Sequence, residues 1–192
     1  MREGLENCRR CDLWKLATQA VGGEGPRTAA MMAVGEQPGD EEDRRGHPFV
    51  GPAGRVLDAA LEAAGVARDQ VYITNAVKHF KWEPRGKRRL HKKPDVREIN
   101  ACNVWLEREI DAVRPQVIVA LGATALRALS GSALSIESAR SRHLTHQRGA
   151  QIVATYHPSA VLRAEGERAE ELRRMLVQDL RRALGIAAGV KK

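Results

Sequence analysis

Cysteine, aromatic rings and long apolar runs are all scarce in this 192-residue chain, and each scarcity excludes something. Three cysteines is an odd count, which argues against the fully paired disulfide framework of a small secreted domain. No apolar run approaches the ~20 residues of a membrane span, so no membrane is expected among the partners. The opening MREGLENCRRCDLW has no apolar core of the kind a signal peptide carries. The expected location is therefore the cytoplasm, with nucleoid association if the chain meets DNA. Aromatic residues make up 4% of the chain and include only two phenylalanines, so the position of each is informative. The rest is ordinary: 43% hydrophobic and 29% charged residues fit a soluble globular protein, most simply one domain over residues 1–192 and by default a monomer.

Acidic residues are missing from one stretch in particular. KHFKWEPRGKRRLHKK, residues 78–93, sets eight Lys and Arg against the single acid Glu83, so it carries +7 of a chain total of +8. With Pro84 and Gly86 inside it, the segment reads as a loop or short hairpin, inserted at about 81–93, that is built to touch something anionic. The bland alternative is a solvated basic loop.

Cys8-Arg9-Arg10-Cys11 is a CxxC pair beside the N-terminus. Two thiolates at this spacing can grip one metal centre, although redox pairs and zinc knuckles share the pattern. They leave a tetrahedral site incomplete, so any further ligands must come from far along the chain. Residues 29–34, AAMMAV, read as a buried strand that breaks into Gly35-Glu36-Gln37-Pro38-Gly39-Asp40, a turn carrying an acid and an amide. Phe49 then sits in the Gly/Pro-rich run 46–54, where a core aromatic is unusual and a stacking platform for a planar ligand is the sharper reading. Residues 55–64 repeat apolar positions at helical spacing before Gly65.

A second strand, VYIT at 71–74, ends in Asn75, whose carboxamide could read the edge of a nucleobase or merely cap a turn. Residues 95–113 read as a helix containing Cys102, which on its own could be just a small buried hydrophobe. A third strand, at 117–121, turns through Gly122-Ala123-Thr124 into a helix ending at Leu129. Residues 131–150 look like a connection. A fourth strand, at 152–155, runs into Tyr156-His157-Pro158-Ser159-Ala160 and then an amphipathic helix from about Glu167 to Leu184, with the tail GIAAGVKK expected to fray. Four strands alternating with helices predict a three-layer α/β/α fold around a central four-stranded parallel sheet. Glu36, Gln37, Asn75 and His157 all follow strands directly, and such loops gather along one sheet edge, where ligands bind.

GEQPGDEEDRRGHPFVGPAG, TNAVKH, KRRLH and HPSAVLR, in that order, resemble the uracil-DNA glycosylase superfamily, and its iron–sulfur branch over essentially the whole chain. Within that branch KRRLH resembles the inserted loop of the UdgX group, which crosslinks itself to uracil-containing DNA. The resemblance implies a 4Fe-4S cluster. Family 4 relatives use four cysteines; Cys8, Cys11 and Cys102 match three of those positions and His79 stands at the fourth, as in UdgX-like proteins. Imidazole on iron tends to raise the reduction potential, and a zinc site of Cys₃His type is the physical rival.

The resemblance also implies roles at the pocket. Phe49 would stack on a flipped uracil, Asn75 would hydrogen-bond its edge, and Gln37 would add a further contact. His157 would stabilise the departing base and Glu36 the cationic sugar. His91 would capture C1′, with Lys87, Arg88, Arg89, Ser159 and Arg163 on the DNA backbone. The implied partner is uracil-containing DNA, single strands preferred because no pairing has to be broken, with free uracil as product. The alternatives are a conventional multiple-turnover glycosylase, in which water completes the reaction, and a non-catalytic iron–sulfur module that binds damaged DNA.

Overall fold

A computed structural model describes residues 4–189. Its strands are β1 (Met31–Gly35), β2 (Val71–Asn75), β3 (Trp82–Arg85), β4 (Arg88–His91), β5 (Val117–Leu121), β6 (Leu144–Thr145) and β7 (Gln151–Thr155). Its α-helices are α1 (Asp40–Arg45), α2 (Pro52–Ala64), α3 (Val96–Val113), α4 (Ala123–Ser130), α5 (Ile136–Arg140), α6 (Pro158–Arg163) and α7 (Gly166–Ala187). The main sheet has the order β2-β1-β5-β7-β6. Its first four strands are the expected parallel set, in register from Met31 opposite both Val71 and Val117. The two-residue β6 adds an antiparallel edge within the stretch read as a plain connection. A pairing that short leaves no period in the sequence to read.

Alternation along the strands builds two cores. Met31, Ala33, Val71, Ile73, Val117, Val119, Leu121 and Val153 pack with α2 and α7, while Met32, Val34, Tyr72, Ile118, Ala120, Ile152 and Ala154 pack with α3, α4 and α5. Burial on both faces is why these strands read as unbroken apolar runs. A third, smaller core joins Leu5, Cys8 and Leu13 to Val77, Ile99, Cys102 and Trp105. Helix α3 opens on a reciprocal cap: the Asp95 carboxylate accepts from the Glu98 N–H at 3.0 Å, and the Glu98 carboxylate accepts from the Asp95 N–H at 2.7 Å. Helix α7 continues through Gly185 to Ala187, because Ile186 and Ala187 pack on the α2/α7 core. The expected fraying therefore does not begin at Gly185, and Val190, Lys191 and Lys192 lie outside the described residues.

Strand order reverses between β1 and β5, since β2 lies on one side of β1 and the next main-sheet strand, β5, lies on the other. Loops leaving the C-terminal ends of two such strands diverge and open a crevice. Among the described residues, no helix is long and apolar enough to cross a membrane.

Candidate active site

Glu36 leaves β1 at this crevice and accepts a hydrogen bond from the Thr124 hydroxyl, at the start of α4 just after β5. The two sides of the strand-order reversal are thus tied through one carboxylate. His91 Nε2 stands 3.3 Å from the other oxygen of that carboxylate. Burial acts to raise the Glu36 carboxyl, but the bonds from His91 and Thr124 outweigh it and hold the group below its ordinary value.

Asn75 ends β2 opposite Gly35. A Cβ on Gly35 would lie 2.4 Å from Asn75 Oδ1 and 2.5 Å from the Phe49 ring, so only glycine lets the carboxamide and the ring share this strand end. Asn75 is 2% exposed, yet its Oδ1 has no hydrogen-bond partner among the described residues. An unpartnered buried acceptor costs about 1–3 kcal/mol and marks a place for a donor. Phe49 adopts a left-handed backbone conformation, φ 55°, unusual for a bulky residue. Arg68 Nη2 holds it, donating to the carbonyls of Pro48 and Phe49 at 3.3 Å each. The ring takes the core position that its Gly/Pro-rich run made unusual, buried in the α2/α7 core, and its centroid lies 5.9 Å from that of His157.

His157 caps α6. Its Nδ1 accepts the Ser159 N–H at 3.1 Å and lies 2.8 Å from Ser159 Oγ, to which Arg163 Nη1 donates at 3.0 Å. An Nδ1 that accepts from a backbone N–H places the proton of the neutral ring on Nε2. Although part of the residue remains open to solvent, the protein crowds around the ring, and burial pushes the imidazole down to about 4. It is therefore a neutral donor at pH 7.

The basic stretch is a hairpin, with β3 and β4 paired so that Trp82 faces His91 and Arg85 faces Arg88. Its charges divide. Lys78 is wholly buried, with Nζ 2.7 Å from Glu109 Oε2, 2.7 Å from Thr74 Oγ1 and 2.8 Å from the Asn75 carbonyl. Lys81 pairs with Glu98 at 2.7 Å and Lys92 with Glu83 at 3.1 Å. Arg89, expected on a phosphate, instead faces the protein body: its guanidinium pairs with Asp40 and, at 2.6 Å, with Asp43, and lies 5.4 Å from the Phe80 and Trp82 ring centres. Lys87 and Arg88 are exposed at the turn, and no carboxylate pairs with either among the described residues.

Gln37, expected on the base, has its amide bonded to the feet of this hairpin. Sequence reading also passed over Thr124, Glu109, Asp40 and Asp43. Glu109 did leave a signal, as an acid on the helix stripe that carries Leu106, Ile110 and Val113.

Cys8, Cys11 and Cys102 come together in the third core. Trp105 Nε1–H donates to Cys8 Sγ and the Lys78 backbone N–H donates to Cys102 Sγ, each at 3.2 Å. His79 is buried one residue beyond Lys78; burial and then Arg9 push its imidazole down, against Asp43, favouring the neutral form that metal ligation requires. Among the described residues, no three His, Cys, Asp or Glu side chains close tightly enough to hold a single metal ion.

Glu36, Asn75, Phe49 and His157 thus lie about the strand-order reversal, and the family is shown by sequence comparison. Residues 23–181 match the Uracil DNA glycosylase superfamily, and the chain belongs to it. A type-4 uracil-DNA glycosylase of Thermotoga maritima is 39% identical over 182 residues, covering 94% of this chain and 90% of that one. A type-4 uracil-DNA glycosylase of Sulfurisphaera tokodaii is 36% identical over 200 residues, covering 100% and 86%. A type-5 uracil-DNA glycosylase of Pyrobaculum aerophilum is 31% identical over 175 residues, covering 82% and 74%.

Proposed function

We propose that this chain excises uracil from DNA, with single strands the easier substrate and free uracil released. The observation that carries this reading is the unpartnered Asn75 Oδ1, buried beside the Phe49 ring above Gly35. A lone acceptor suits the N3–H of uracil, whereas cytosine would bring its bare N3 lone pair to the same place. The flipped base lies against Phe49. His157 Nε2–H donates to O2 of the base, where negative charge grows as the C1′–N1 bond breaks and its electron pair leaves with uracil. Ionised Glu36 faces the sugar carbon that becomes cationic. Exposed Lys87 and Arg88, with Ser159 and Arg163 beside His157, take backbone phosphates.

The names of the relatives support an ordinary turnover enzyme, in which water adds to C1′. A second reading, capture of C1′ by His91, is favoured by one observation: the hairpin delivers a half-exposed imidazole to within 3.3 Å of Glu36. In that step a ring nitrogen forms a bond to C1′, the ring sheds its N–H proton to Glu36, and the uracil anion takes up a proton as it departs. The product is a neutral N-linked histidine–deoxyribose adduct, and the protein acts once.

In this reading Cys8, Cys11 and Cys102, which meet in the third core, would hold a 4Fe-4S cluster together with His79. N–H donors aimed at two of the sulfurs suit metal-bound thiolates. When bound, the cluster supplies a crosslink that ties the N-terminal segment to α3 and the base of the hairpin.

The test uses purified protein with single-stranded uracil oligonucleotide on a denaturing gel, beside a thymine control and His91→Ala. Uracil is expected to be lost with both proteins; capture by His91 adds a denaturant-resistant protein–DNA band for the wild type alone. Abasic product in molar excess over the wild type, without that band, leaves excision and removes capture. Uracil retained with both proteins removes the function.

A further inference from the structure

We infer that Thr124 is a positioning residue that keeps Glu36 ionised for its work on the sugar, an inference that rests on the excision reading above but not on capture by His91. The Glu36 backbone is fixed first: its carbonyl accepts the Val77 N–H at 3.0 Å, beside the paired ends of β1 and β2. Its side chain then crosses to the other side of the strand-order reversal. There Oε2 accepts the Thr124 hydroxyl, while Oε1 stands 3.3 Å from His91 Nε2. Each oxygen has its own neighbour, and the two neighbours differ in kind. Thr124 is 2% exposed on α4, whose Ala125 and Leu126 are wholly buried in the core shared with α3 and α5. His91 is half-exposed on a hairpin. Thr124 is the rigid partner of the carboxylate.

The hydroxyl also favours one protonation state. Its single proton bonds more strongly to a carboxylate than to a carboxylic acid, so the bond stabilises ionised Glu36. The turn that carries it is held in place: the Gly122 N–H donates to the Thr155 carbonyl at 2.9 Å, and a Cβ on Gly122 would lie 3.0 Å from that of His157. One turn therefore packs against His157 and holds Glu36, the groups that face the leaving base and the cationic sugar. The titratable groups that act on the Glu36 carboxylate are His91 from β4 and His157 after β7. His157, pushed down to about 4, stays neutral over most of the acid range. His91 lies at Oε1 and leaves Oε2 to Thr124. Without the hydroxyl, Glu36 takes up its proton at a higher pH, and the acid side of the reaction's pH profile moves up with it.

The experiment compares wild type with Thr124→Val, of the same shape but without the donor, Thr124→Ala, which adds no methyl group, and Thr124→Ser, which keeps the donor. Single-turnover uracil release from a single-stranded uracil oligonucleotide is read at about pH 5 and about pH 8. The Glu36 carboxyl is titrated separately by ¹³C NMR, its signal assigned by its loss in Glu36→Gln. The Val and Ala variants are expected to release uracil about fivefold more slowly than wild type at the lower pH, and within about twofold of it at the higher. Glu36 should titrate at higher pH in both, and Ser should restore both readings. An unchanged Glu36 titration overturns the proposal. A loss of equal size at the two pH values also overturns it, since Thr124 would then act only on the structure. So does a raised titration with unchanged release. A wild type that leaves uracil in place at both pH values sinks the excision reading instead, and the titration alone then decides whether Thr124 holds Glu36 ionised.

Discussion

Two side chains about the crevice hold opposite kinds of charge state at one pH: Glu36 is kept ionised by its bonds to Thr124 and His91, and His157 is kept neutral by burial. The second has a cost that can be measured. With an imidazole at about 4 in the folded protein against an ordinary 6.5, the unfolded chain takes up a proton between these values that the folded chain refuses. Stability therefore falls as pH drops through this window, by up to about 3 kcal/mol from this group. Urea unfolding at pH 7.5, 5.5 and 4.5 should show a steeper loss in wild type than in His157→Gln. Equal slopes would place His157 in a more solvated setting. Glu36, Asn75 and His157 were legible in the sequence because each follows an apolar strand. The direction of the Gln37 amide was not, because its partners, Lys81 and Lys92, lie 44 and 55 residues away.

At the scale of elements, the hairpin and α3 are joined to the sheet by buried polar groups rather than by apolar packing alone. Glu109 accepts from Lys78, Thr74 and the Gly23 N–H at 2.7–2.8 Å, and Lys78 in turn holds the Asn75 carbonyl. Removing one partner strands the other charge in the core. Glu109→Leu should cost about 3–5 kcal/mol by chemical denaturation, and adding Lys78→Met should recover much of it. A single variant within 1 kcal/mol of wild type would mean that Lys78 sheds its charge or finds water. The basic stretch announced its composition but not this division. Lys78 belongs to the inward turn after β2, and Arg89 points the opposite way from exposed Arg88 because strand neighbours alternate.

For the whole molecule, strand–helix alternation was enough to predict the parallel sheet, since runs such as VIVAL are apolar on both faces. The position of the crevice required the strand order, which sequence periodicity does not carry. Once that order is known, residues spread over more than a hundred positions meet at one sheet edge, with the thiols of the third core just beneath β2 through Lys78. The most direct measurement is the intact mass of the protein after reaction with a short single-stranded uracil oligonucleotide. Uracil excision followed by capture predicts a mass equal to protein plus oligonucleotide less one uracil, with tryptic fragments placing the adduct on His91. An unmodified protein beside DNA that has lost its base would restore water as the acceptor, and DNA that keeps its uracil would contradict the account at its root.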